Sequence, residues 1–117
     1  NLINIGQLVL NKGEWNGQRI VSKQWIEKSL DTDLKSKATF GLPRSKHGYC
    51  WYSVERNGIE LQYGMGYGGQ FIFLFPSENL VIVTTHNHDT PDGIYQQVRF
   101  LTNYMGGLVE LYTTKSN

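Results

Sequence analysis

The sequence predicts an α+β fold: an antiparallel β-sheet of about four strands, flanked by two N-terminal helices and a C-terminal helix. Three observations predict it. Apolar residues recur at helical spacing near the start, at Leu2, Ile5 and Val9. The second half turns to apolar runs and alternation, with Asn57-Gly58 as a strong two-residue hairpin signal. A helical apolar stripe then returns at Ile94, Val98, Leu101 and Met105. Helices at both ends of a strand meander argue layers of α packed on β.

The first helix gathers Ile3 and Leu10 beside its stripe and stops at Gly13. Glu14 to Gln18 reads as a turn with Trp15 as an anchor. A second helix is expected from about Lys23 to Leu30. Ser22 is a good N-cap, and Val21 and Ile26 have the spacing of a hydrophobic staple. From Asp31 to Lys46 the pattern fades into a long polar loop containing Gly41 and Pro43. Loops of that length are often functional.

Tyr49 to Glu55 is an aromatic-rich strand. Ile59 to Tyr63 returns antiparallel with Ile59, Leu61 and Tyr63 on one face. The following Gly64-Met65-Gly66-Tyr67-Gly68-Gly69 is not expected to be a regular strand throughout. Gln70 to Phe75 is nearly continuous in apolar residues, as a strand buried on both faces would be. Pro76 to Asn79 turns the chain, and Leu80 to Thr85 reads as another buried strand. His86 to Asp92 is a loop. Thr90-Pro91 looks like an N-cap with Pro at the first helical position. Gly106-Gly107 ends the last helix, and Leu108 to Tyr112 fits helix or strand.

Composition bounds the function. At 117 residues the chain suits one domain, residues 1–117, with burial of roughly two-thirds of its unfolded surface. Charged residues are 18% and the net charge is +1. No basic stripe supports nucleic-acid or anionic-membrane binding. The longest apolar run, around Phe71 to Phe75, is far short of the roughly twenty residues that span a bilayer. The single cysteine, Cys50, excludes an intrachain disulfide and a cysteine zinc cluster. It reads as a buried core thiol.

The glycine-rich segment is the most informative feature. It joins two strands rather than a strand and a helix, so it lacks the helix N-terminus of a phosphate loop. It reads either as a bulged strand entry or as a place where a ligand lies against bare backbone. Other stretches fall in order around it. Asn4-Ile5-Gly6-Gln7-Leu8-Val9-Leu10-Asn11-Lys12-Gly13-Glu14-Trp15-Asn16-Gly17 leads to Ile20-Val21-Ser22-Lys23-Gln24-Trp25. Gly48-Tyr49-Cys50-Trp51-Tyr52 follows, then Gly66-Tyr67-Gly68-Gly69-Gln70-Phe71-Ile72-Phe73-Leu74-Phe75-Pro76, then Leu80-Val81-Ile82-Val83. This ordered set resembles the serine β-lactamase-like hydrolases, the family of class C β-lactamases, DD-peptidases (penicillin-binding proteins) and related esterases and amide hydrolases.

The resemblance implies a partial β-lactamase/transpeptidase-like fold and an acyl-enzyme reaction on an ester, amide or β-lactam bond. It implies no cofactor and a periplasmic or extracytoplasmic setting. The family uses a Ser-x-x-Lys, in which nucleophile and base stand one helical turn apart. No Ser in this chain has Lys three residues on. The chain is therefore expected to be the C-terminal part of a longer hydrolase and inactive alone. Ser77-Glu78-Asn79 and Lys46-His47-Gly48 imitate the family's second and third motifs but sit at the wrong places. The third motif maps best onto Gly64-Met65-Gly66, without its usual cation. By resemblance, Gly64, Met65, Gly66, Tyr67, Gly68, Gly69 and Gln70 are the substrate-binding and oxyanion candidates, with the Tyr67 N–H as the oxyanion donor. The missing cation weakens a penicillin-like substrate.

Two other classes stay open. Trp51, Tyr52, Tyr63 and Tyr67 form either a platform for a peptide or glycan, in a non-enzymatic binding module, or ordinary core packing. His86 and His88 could hold a metal with His47, Asp89 or Asp92 as third ligand, or form a solvated loop. The partners implied are a small-molecule or peptide substrate. Exposed sheet edges predict dimerisation or aggregation.

Overall fold

The computed structural model describes residues 1–31, 46–56, 58–66 and 69–86, with the single positions Arg99, Asn103 and Gly107. Helix α1, Leu2–Leu10, starts on Asn1, whose side chain accepts the Ile3 N–H at 3.2 Å. Past its end, Lys12 and Gly13 turn into the left-handed region, φ 54° and 89°. The Gly13 N–H reaches back to the Leu8 carbonyl at 2.8 Å, satisfying a carbonyl the helix leaves open. A Cβ on Gly13 would stand 2.1 Å from the Val21 carbonyl oxygen, so only glycine fits there.

The expected Trp15 turn is a small hairpin of β1, Glu14–Trp15, and β2, Gln18–Arg19. Asn16 and Gly17 both have positive φ, as a primed two-residue turn requires. Helix α2 spans Lys23–Leu30, as expected, with the Ser22 hydroxyl accepting the Trp25 N–H at 3.2 Å.

Among the described residues, the main sheet has five antiparallel strands in chain order: β3 Lys46–His47, β4 Tyr52–Arg56, β5 Ile59–Gly66, β6 Gln70–Phe75 and β7 Leu80–Thr84. The α+β class holds, with a five-stranded sheet in place of about four. The extra strand is β3, whose two polar residues carry no apolar pattern. Register Arg56↔Ile59 leaves the two-residue loop that Asn57-Gly58 predicts. A 3₁₀ turn at Pro76–Glu78 and left-handed Asn79 connect β6 to β7.

Three strand expectations need correction. The aromatic strand begins at Tyr52 rather than Tyr49. Before it, the Gly48 N–H bonds the Trp51 carbonyl at 2.7 Å and Cys50 takes φ 62°, so the chain turns first. Strand β5 runs past Tyr63, its expected end, and keeps pairing through Gly66, with Gly64↔Ile72, Met65↔Phe71 and Gly66↔Gln70. Gly69 lies in a turn, so the glycine segment is not strand throughout, as expected. Neighbouring β6 supplies the ladder, which propensity alone does not foresee. Strand β7 is half-buried along its length and, among the described residues, ends the sheet's strand order.

Alternation divides the sheet into two faces. On one, Val54, Leu61, Tyr63, Phe71, Phe73 and Phe75 form a buried aromatic core. On the other, Leu74 joins Val9 of α1 and Ile26 of α2, with Val21, Trp51, Ile72 and Val81 packed around them. Of the expected stripe of α1 only Val9 is buried: Leu2 and Ile5 are 38% and 48% exposed, and Gly6, outside the stripe, is buried. A Cβ on Gly6 would stand 2.5 Å from Val81 Cγ1 and 3.0 Å from Ile72 Cγ2. The helix turns its one bare position to the sheet, so that its backbone lies close. The predicted C-terminal helix lies outside the described residues except at the three single positions, which are helical, including Gly107 beyond its expected end. Among the described residues, no helix is long and apolar enough to cross a membrane.

Candidate functional site

The β5–β6 hairpin positions the glycine segment. Gly64 and Gly66 lie on the helix-packed face of β5, opposite Ile72 and Gln70 of β6. Without side chains they leave a stretch of strand backbone uncovered. Trp51 closes over one end: its Cζ3 lies 3.7 Å from where a Gly64 Cβ would stand. Leu2, at the start of α1, and Cys50, at the turn before β4, complete a cavity of about 340 Å³ that also touches Met65, Gln70, Phe71 and Ile72. Among the described residues, none that lines it carries a charge.

The far end of the hairpin is tied to β7. The Gln70 side-chain amide donates to the His86 carbonyl at 2.7 Å, and the Thr84 hydroxyl donates to the Gly69 carbonyl at 3.0 Å. Gly69 has φ 88°, and a Cβ there would stand 3.2 Å from His86 Cβ. These links hold the base of the Gly66–Gly69 connection while the apolar floor stays bare.

Of the expected site residues, Gly64, Met65, Gly66 and Gln70 line this cavity, and Gly69 is held to Thr84 of β7. Tyr67, the expected oxyanion donor, and Gly68 lie outside the described residues. Sequence reasoning missed Leu2, Cys50 and Ile72 as cavity walls. Cys50 is exposed, against the expectation of a buried thiol. Its position follows from a left-handed backbone that no local signal announces.

The aromatic platform is divided. Trp51 faces the cavity, whereas Tyr52 and Tyr63 stand on the opposite face. There His47, Tyr52, Tyr63 and Phe73 stack in sequence, with centroids 4.5, 5.1 and 5.9 Å apart, and Tyr63 is fully buried. The imitation motifs fare as expected: Ser77-Glu78-Asn79 is an exposed turn, and Lys46-His47 sits on β3, two strands from β5.

His86 is exposed just past β7, while His47 is on β3 at the other end of the strand order. Four strand spacings of about 4.8 Å put them roughly 19 Å apart, so His47 does not complete a metal site with His86. His88 and Asp89 lie outside the described residues, and among the described residues no group of three metal-ligating side chains occurs. Compared with family models and with curated proteins, the chain matches none.

Proposed function

We propose that this chain is the C-terminal part of a serine β-lactamase-like hydrolase that cleaves an ester, amide or β-lactam bond through an acyl-enzyme. The observation that carries the reading is the paired glycine strand. Gly64-Met65-Gly66 runs in register beside β6 and presents bare backbone to an open apolar cavity. This is the kind of surface against which an extended substrate can lie. The ordered resemblance from α1 to β7 supports the same assignment.

In this reading, a Ser-x-x-Lys outside these residues supplies the nucleophile. The Lys takes the Ser proton as Oγ attacks the substrate carbonyl. The Tyr67 N–H stabilises the developing oxyanion. The leaving group departs protonated, and water then releases the acid and regenerates Ser. The 117-residue chain alone is expected to give no burst of 4-nitrophenol from 4-nitrophenyl acetate. The protein with its upstream coding segment is expected to give one, and to lose it when the Ser of that motif becomes Ala. A burst from the short chain, or none from the long one, overturns the reading.

The peptide- or glycan-binding alternative loses its main support, since its aromatics stand on two faces. Quenching of Trp fluorescence by a peptidoglycan fragment would restore it. The metal alternative rests on His86 with residues outside the described set, and activity lost to a chelator would restore it. Self-association through an open sheet edge remains part of the proposal. Leu80–Thr84 of β7 carries no charge or Pro to discourage pairing. Light scattering should show mass rising with concentration, and a monomer throughout the range removes that part.

A further inference from the structure

We propose that the cavity between α1 and the β5–β6 hairpin seats a neutral, planar aryl or short acyl group, and disfavours one bearing a carboxylate. The reaction context rests on the hydrolase reading above; the binding preference does not. Size is the first argument. About 340 Å³ lies near the small end of ligand pockets, enough for one ring with a short substituent.

Charge is the second. The described lining offers a thiol, an amide and the Trp51 indole N–H as polar side-chain groups, none of them charged, and the Gln70 amide nitrogen already donates to the His86 carbonyl. A carboxylate placed there finds no cation among the described lining residues to offset its desolvation. Gly64 stands where the resemblance would put a cation.

Shape is the third. Gly64 and Gly66 carry no side chains; Trp51 Cζ3 lies 3.7 Å from where a Gly64 Cβ would stand, and Gln70 Cβ lies 3.2 Å from where a Gly66 Cβ would stand, so the indole and the Gln70 stem flank the glycine strand. A flat ring can therefore lie on strand backbone with its edge or face against the indole.

Cys50 provides the readout, because it lines the cavity, is exposed and is the only cysteine. Alkylation of Cys50 by iodoacetamide is followed by intact mass, with acetanilide or its carboxylate counterpart, 4-acetamidobenzoate, as probe. Acetanilide at about 10 mM is expected to slow alkylation about threefold or more, as a millimolar ligand does when mostly bound. The carboxylate probe should leave the rate unchanged. Gly64→Leu, which fills the floor, should abolish protection, and Gly64→Lys should reverse the order of the two probes. Equal protection by both probes, or by neither, overturns the proposal in the unsubstituted chain, whether or not the variants fold.

The two readings fail separately. If acetanilide protects but the protein with its upstream segment hydrolyses no ester, amide or β-lactam, the hydrolase reading falls and the seat stands. If that protein hydrolyses carboxylate-bearing β-lactams while the neutral probe gives no protection, the seat falls and the hydrolase reading stands.

Discussion

The two faces of the sheet are built from alternate residues of the same strands, yet they do different work. On the aromatic face, Tyr63, Phe71, Phe73 and Phe75 are almost wholly buried, and the Phe73 ring packs against those of Tyr63 and Phe71 with centroids 5.9 and 5.1 Å away. On the helix-packed face, Gly64 and Gly66 occupy the positions that Tyr63 and Met65 hold across the strand. There the covering elements are α1 and α2, and beside them the sheet keeps an open cavity. One face is filled by side-chain volume and carries stability. The other leaves volume out, both for a helix to approach and for a ligand to enter.

The comparison breaks most sharply at the centre of the filled face. Phe73→Ala should cost about 3–5 kcal/mol, since a fully buried ring leaves a cavity between close neighbours. Urea denaturation followed by far-UV circular dichroism measures it. A loss below about 1 kcal/mol would mean that this face is not the stabilising one.

On the other face, the effect should come from adding volume. Gly6→Val should cost about 1–3 kcal/mol by forcing α1 away from Val81 and Ile72. Adding Val81→Ala should recover part of that, and a double-mutant cycle reads the coupling. Additive losses would show that α1 does not rest on Val81.

The cover of the same face depends on α2, which places Ile26 in the cluster. Ser22→Ala removes the acceptor for the Trp25 N–H and should lower stability by about 1 kcal/mol, read as a shift in the denaturation midpoint. The smallest effect is expected at the cavity floor. A Cβ on Gly64 would meet Trp51 at 3.7 Å, an ordinary contact. Gly64→Ala should therefore change stability by less than about 0.5 kcal/mol, or raise it slightly. A large loss would place the floor in the packed core instead.

Much of this arrangement was legible before any coordinates. The bounds of α2 followed from Ser22 and the staple, and the β4–β5 turn followed from Asn57-Gly58, because caps and two-residue turns are made by adjacent residues. The glycine segment stood out as the candidate site, and four of the seven expected residues line a cavity. What stayed hidden involves partners distant in the chain. The apolar stripe of α1 pointed to Leu2 and Ile5, and a hydrophobicity pattern gives no weight to Gly6, the residue that meets Val81. The aromatics of Trp51, Tyr52 and Tyr63 read as one group, although strand parity and the turn at Cys50 send them to different faces.

The sequence by itself determined the element types, the hairpin loop, the α2 cap and the uncharged glycine strand, since each depends on bonds and sterics within a few residues. Only the tertiary structure decided that β3 joins the sheet, that β5 stays paired through Gly66, and that α1 buries Gly6 and Val9. It also decided that Leu2 and Cys50 meet Gly64 around one cavity. Those outcomes depend on which surfaces come together at close range, and van der Waals packing between residues such as Gly6 and Val81 leaves no local trace in the chain.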